Sequence, residues 1–153
     1  MLKLYENTDG STADLEKAAA IQELLDLREF YTLDTKIEQI ASGLGLHAIG
    51  LERPITELSG GQRAKVILAK LLLIKPDVML LDEPTNFLDR EHILWLSEYL
   101  TEQNTAYMVV SHDNGFLEKI TNCICDVGGG KLKKYYGSYL EFQKKKEFYR
   151  EDY

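Results

Sequence analysis

Four consecutive apolar residues, Val78-Met79-Leu80-Leu81, run directly into the acidic pair Asp82-Glu83, and Pro84 ends the run. No other stretch constrains the chain so strongly. An apolar run this short, bounded by a turn signal, predicts a strand of a parallel sheet covered on both faces. Open α/β sheets place their ligands beyond the C-terminal strand ends, which is where Asp82 and Glu83 stand. Adjacent strand residues point to opposite sides, so the two carboxylates need not share one task. In phosphoryl transfer, one acid helps hold Mg²⁺ while another positions or deprotonates the attacking water. Taken alone, Asp-Glu after an apolar run reads more simply as the opening of a solvated loop, so its neighbours must decide.

The 153 residues suffice for one ordinary domain. With 18 basic against 25 acidic residues the formal charge is −7, which excludes a polycation that grips nucleic acid along its whole surface. No apolar run approaches the ~20 residues of a membrane span, and Met1–Glu6 lacks the apolar core of a signal peptide. These features point to a cytoplasmic protein. The only cysteines, Cys123 and Cys125, would share a strand face; a C-x-C pair is weak ground for a metal or a disulfide, and buried thiols are expected.

Along the chain, a polar start gives way to a helix opened by Ser11-x-x-Asp14, with Leu15, Ala18, Ala19, Gln22 and Leu25 inward. A second capping box, Thr35-x-x-Glu38, predicts a helix with Ile37, Ile40, Ala41 and Leu44 on one stripe, ended by a left-handed Gly45. Residues 46–58 carry Gly50 and Pro54 and read as an ordered loop. A helix from Gly60 or Gly61 to about Ile74 is apolar over much of its surface and is expected to be largely buried. After the 78–82 strand come a helix over 90–102, a buried strand over 105–110, a short helix over 113–121, a hairpin of strands 123–127 and 132–136, and a final helix over 138–153. The fold class expected is α/β.

Four short segments stand around this frame in order: Leu58-Ser59-Gly60-Gly61-Gln62, the Asp82-Glu83-Pro84-Thr85-Asn86 turn, Leu88-Asp89, and Val109-Val110-Ser111-His112-Asp113. Glycines let a backbone approach an anion, and the free N–H groups of a helix start point at it; Ser59 adds a hydroxyl. The plain alternative for Ser59–Gln62 is an ordinary helix cap with a glycine pair. The ordered set resembles the signature motif, Walker B strand, D-loop and H-loop of ATP-binding cassette (ABC) ATPases, and the wording Leu-Asp-Glu-Pro-Thr-Asn looks most like the soluble, twin-cassette ABC-F branch, many of whose members act on the ribosome.

That resemblance implies a partial P-loop NTPase core with parallel strands and a helical subdomain. It divides the chain into a helical subdomain with the signature (1–75), the C-terminal part of the ATPase core (76–138), and the start of a C-terminal helix or inter-cassette linker (139–153). It implies that Ser59, Gly60, Gly61 and Gln62 bind the γ-phosphate of ATP held by a second cassette. Asp82 contacts Mg²⁺ through water, Glu83 is the general base, and His112 hydrogen-bonds the γ-phosphate and orients water. Asn86 and Asp89 reach toward the partner cassette. Phe87 departs from the histidine expected in many ABC-F members. His47 and His92 receive no role. Tyr135-Tyr136-Gly137-Ser138-Tyr139 and Lys144-Lys145-Lys146 read as a solvated helix face with packed aromatics; contact with RNA is the alternative.

The phosphate-cradling loop G-x-x-x-x-G-K-[ST] does not occur in the 153 residues. Gly45 and Gly50 have the spacing but lead into Leu51-Glu52, without the lysine and hydroxyl. The chain therefore resembles the C-terminal two-thirds of one cassette, and by itself is expected to bind ATP weakly or not at all. In the family the strand carrying that loop lies between the H-loop strand and the C-terminal strands, so two unpaired strand edges are expected here. Two further readings stand beside an ABC-F ATPase fragment: the cassette subunit of an ABC transporter, and a non-catalytic binding module.

Overall fold

The computed structural model describes residues 12–27 and 32–151, with side chains to residue 147. The polar start, Ser11 and the last two residues lie outside the described residues. The chain forms two compact units, residues 1–39 and 40–153.

The first unit contains helix α1 (Thr12–Leu27) and most of α2 (Leu33–Gly43). On α1, Ala18, Gln22 and Leu25 are half-buried as expected, but Leu15 and Ala19 are exposed and Asp14 takes a place on the stripe. Helix α2 begins two residues before Thr35. Thr35 thus lies inside the first turn, where its backbone is already helical, and the predicted capping box does not open this helix.

The second unit begins with the end of α2; Ile40 and Ala41 there and Leu44 just after it are buried in its core, while Ile37 is exposed. Gly45 turns left-handed at φ 68°, as predicted. Its position also requires glycine sterically, since a Cβ there would stand 2.5 Å from the His92 ring. Two single 3₁₀ turns, Leu46–Ala48 and Ile55–Glu57, make the following loop. Helix α3 (Gly60–Ile74) then leads to strand β1 (Val78–Asp82), helix α4 (Arg90–Glu102), strand β2 (Ala106–Val110), helix α5 (Asn114–Ile120), strands β3 (Cys123–Gly128) and β4 (Lys131–Tyr136), and helix α6 (Tyr139–Glu151).

Strands β1 and β2 run parallel, with Met79 opposite Tyr107 and Leu81 opposite Val109. The α4 crossover makes this a βαβ unit, so both strands end at the same sheet edge. Strands β3 and β4 form a separate antiparallel hairpin. Among the described residues the strands form two two-stranded pieces, so each of the four strands has one unpaired edge.

Burial departs from the sequence reading. Met79 and Leu81 are buried with Leu68, Leu72, Leu96, Leu100 and Phe116. Val78, Leu80, Met108 and Val110, on the opposite face, are all more than half exposed. The strand predicted to be covered on both faces is covered on one. Helix α3 follows suit: Leu68 and Leu72 are buried while Ile67 and Ile74 face outward. Cys125 is exposed and Cys123 half-buried, which corrects the buried-thiol expectation; both stand on the hairpin face that α6 does not cover, as Tyr135 on the other face packs on Phe142 at 5.1 Å.

Candidate functional site

The signature segment is built as a rigid helix start. The Ser59 hydroxyl accepts from Gln62 N–H at 3.2 Å, and the Gln62 side chain accepts from Ser59 N–H at 3.0 Å. This reciprocal cap leaves the first-turn N–H groups of Gly60 and Gly61 without intrahelical acceptors. Arg63 fastens the preceding loop: its Nε donates to Leu58 carbonyl at 3.1 Å and its Nη2 to Thr56 carbonyl at 3.4 Å. That clamp was not read from the sequence, where an arginine after a glycine pair on a helix carries no signal of its own.

Where β1 ends, Glu83 N–H donates to Val110 carbonyl at 2.8 Å, one step beyond the Asp82–Val110 register pair. Glu83 then turns left-handed, at φ 46°. Few non-glycine residues adopt that conformation, and those that do cluster at functional sites. The turn separates the two carboxylates. Asp82 continues the uncovered face of β1, whereas Glu83 swings toward the end of β2. There Glu83 Oε1 lies 3.4 Å from His112 Nε2, and His112 N–H donates to Glu83 Oε2 at 3.4 Å. Oε1 is buried and within ion-pair reach of the imidazole, yet it makes no hydrogen bond of good geometry. It retains the capacity to accept one. The imidazole itself is 98% exposed, so its other faces are open to a ligand.

His112 is held by its neighbours. Ser111 hydroxyl accepts from Asp113 N–H at 3.1 Å, and the Asp113 carboxylate caps α5 by accepting from Phe116 N–H at 2.9 Å. After Glu83 the chain makes a tight turn, with Asn86 N–H donating to Glu83 carbonyl at 3.2 Å and Leu88 N–H to Thr85 carbonyl at 3.1 Å. Asp89 heads α4 without a side-chain cap bond; its carboxylate is 3.6 Å from His92 Nδ1. The turn and α3 meet: a groove of about 250 Å³ is lined by Lys65, Ile67, Leu80, Asp82, Glu83 and Phe87 among others, and the Phe87 ring lies against Gly61.

Of the residues singled out in the sequence, then, Glu83 and His112 meet directly, Asp82 and Glu83 line one groove, and Gly61 touches the 83–89 turn. Sequence reasoning missed the Phe87–Gly61 contact and the bond from Leu140 N–H to Glu118 at 2.7 Å, which joins α5 to the start of α6; both are long-range contacts with no local signature.

An acid pair at a parallel strand end, a glycine-rich helix start, and an imidazole on the next strand end together define a P-loop-type nucleotide cassette. The family model described as "ABC transporter" matches residues 2–86, more than half of the chain. The chain is 53% identical over 128 residues to the uncharacterized ABC transporter ATP-binding protein YfmM of Bacillus subtilis (strain 168), covering 84% of the chain and 25% of that protein. It is 39% identical over 139 residues to the energy-dependent translational throttle protein EttA of Mycobacterium tuberculosis (strain H37Rv), covering 91% of the chain and 25% of EttA. Among solved structures, the complex of the archaeal ribosomal stalk protein aP1 with the ribosome recycling factor aABCE1 matches with a TM-score of 0.57 at 26% identity, over 71% of this chain and 23% of that one. The chain belongs to the ABC ATPase family, in its ABC-F branch. It spans about a quarter of the length of those two curated relatives. Membership implies ATP binding, typically with Mg²⁺. Among the described residues no helix is long and apolar enough to cross a membrane.

Proposed function

We propose that this chain is the signature-to-linker part of a cassette that hydrolyses ATP at an interface with a second cassette. The observation that carries the reading is the Glu83–His112 pair, an acid with a buried, unpartnered carboxylate oxygen 3.4 Å from an imidazole that is otherwise open. When bound, Mg-ATP supplies the phosphoanhydride bond and the metal's charge neutralisation. Glu83 Oε1 accepts a hydrogen bond from the attacking water and then its proton. His112 holds Glu83 in place and presents its imidazole toward the terminal phosphate. Asp82 would hold Mg²⁺ through water, and Mg²⁺ needs only one or two carboxylates beside phosphate and water. Ser59, Gly60, Gly61 and Gln62 receive the terminal phosphate of ATP held by the second cassette through first-turn N–H groups and a positive helix end. Asn86 and Asp89 face that cassette.

The whole protein acts in the cytoplasm on the ribosome. This is supported by the names of two relatives, a translational throttle protein and a ribosome recycling factor bound to a stalk protein. Residues 1–75, 76–138 and 139–153 serve as signature-bearing helical part, core and start of a linker. A second reading, the cassette subunit of a transporter, draws on the name of YfmM and on the family description; co-purification with a membrane subunit would favour it. The test of the ATPase reading is Glu83→Gln in the full-length protein. Turnover is expected to fall by about 100-fold or more, the worth of a positioned base, while Mg-ATP binding by calorimetry persists. Unchanged turnover overturns the assignment.

A further inference from the structure

Two segments assigned above to two different nucleotides approach each other inside one chain, where the Phe87 ring lies beside Gly61. A Cβ placed on Gly61 would stand 3.0 Å from Phe87 Cδ1, 3.6 Å from Cγ and 3.7 Å from Cβ. The ring therefore occupies space that any larger residue at 61 would contest. Phe87 is 52% exposed, so its ring stands at the surface beside the helix start.

Its backbone is fixed on both sides. Leu88 is buried in the core and donates to Thr85, while Asn86 donates to Glu83 carbonyl. Glu83 in turn is hydrogen-bonded to Val110 at the end of β2. The ring is thus the free end of a short, hydrogen-bonded turn that begins at the base and finishes on the signature glycine.

We infer that Phe87 is a positioning residue that seats the Ser59–Gln62 turn against the loop carrying Glu83, so that the phosphate-receiving turn offered to the second cassette is set by the catalytic loop of this one. This rests on the composite-site reading. Phe87 carries no polar group with which to act on the base or the imidazole. Its loss should therefore weaken capture of ATP across the interface and leave the chemical step at saturation alone. The ring suits this task because it is flat and stiff, with two torsions to fix. A histidine at 87, expected from the ABC-F resemblance, offers a smaller and more polar plate.

Steady-state ATP hydrolysis by the full-length protein tests this, using Phe87→Ala, Phe87→Tyr and Glu83→Gln. Phe87→Ala should raise KM for ATP about tenfold, the scale of one aromatic contact, with kcat within about twofold of the parent. Phe87→Tyr keeps the ring plane and should restore KM. A merely structural role would lower the melting temperature and leave KM and its rescue unmoved. Should Phe87→Ala fail to fold, Phe87→Leu, which keeps apolar bulk but loses the flat plate, is expected to show the same rise in KM. An unchanged KM in the truncated variant, a tyrosine variant as defective as alanine, or a fall confined to kcat would overturn the inference. The Glu83→Gln control separates the two claims. Lost turnover there beside a normal KM in Phe87→Ala sinks only the role of Phe87; undiminished turnover sinks the catalytic reading beneath it.

Discussion

The two faces of the β1–β2 pair share a backbone and nearly the same apolar composition, yet they live in different surroundings. On one, Met79 and Leu81 are 2% and 6% exposed, with Tyr107 and Val109 beside them against α3, α4 and α5. On the other, Leu80 is 73% exposed and Val78, Met108 and Val110 are close behind. The difference teaches that strand composition alone does not tell which face of a sheet is covered. The open face is also the one that carries Asp82 at its end, so the exposed apolar surface and that carboxylate lie on one side of the sheet.

Substitutions sharpen this contrast. The largest effect is expected on the covered face: Leu81→Ala should cost about 2–5 kcal/mol, the range for emptying a buried leucine site, read by urea unfolding monitored through Trp95. A loss under about 0.5 kcal/mol, the scale of surface substitutions, would break the comparison.

A middle-sized effect is expected from pH, again on the covered side. Burial raises the hydroxyl pKa of Tyr99 and Tyr107, and these hydroxyls donate to the carbonyls of Leu72 and Ile120. Both groups are neutral in the fold and ionise more easily in the unfolded chain. Above about pH 10, the ordinary tyrosine value, the unfolded state has therefore lost protons the folded state keeps, and stability falls as pH rises. Denaturant midpoints at pH 9 and pH 11 should differ, and Tyr107→Phe should narrow the gap. A gap the same in parent and variant would assign the alkaline loss elsewhere.

The smallest effect belongs to the open face. Leu80→Lys should change stability by no more than about 0.5 kcal/mol, while reducing self-association measured by sedimentation, because an exposed apolar face next to unpaired strand edges invites contact. A loss comparable to that of Leu81→Ala would mean that the two faces are equally covered in solution.

The same contrast explains what was legible in the sequence. Helix α3 with its Ser59 cap, strand β1, helix α4 and the β3–β4 hairpin could be placed within a residue or so, because each is bounded by a local signal: a capping serine, a proline, a glycine pair. The pairing of Glu83 with His112 was legible only as far as shared strand ends go; the left-handed turn that parts Glu83 from Asp82 was not, since nothing in Asp-Glu-Pro demands it. One-sided burial of β1 and exposure of Ile67 and Cys125 were misread for a common reason. Periodicity shows which residues want cover, and cover comes from segments remote in sequence. The α2 start was misplaced because Thr35-x-x-Glu38 is a capping box only if the chain before it is not already helical, and Leu33 and Asp34 are.

Glu83 sits at φ 46°, a region that penalises an L side chain by roughly 1–2 kcal/mol and glycine hardly at all. Under the role proposed for Glu83, activity and ruggedness are therefore set against each other at one peptide unit. A breeding programme that rewarded survival of heating, with no assay of turnover, would drift toward glycine there and, under that same role, yield sturdier, inert descendants.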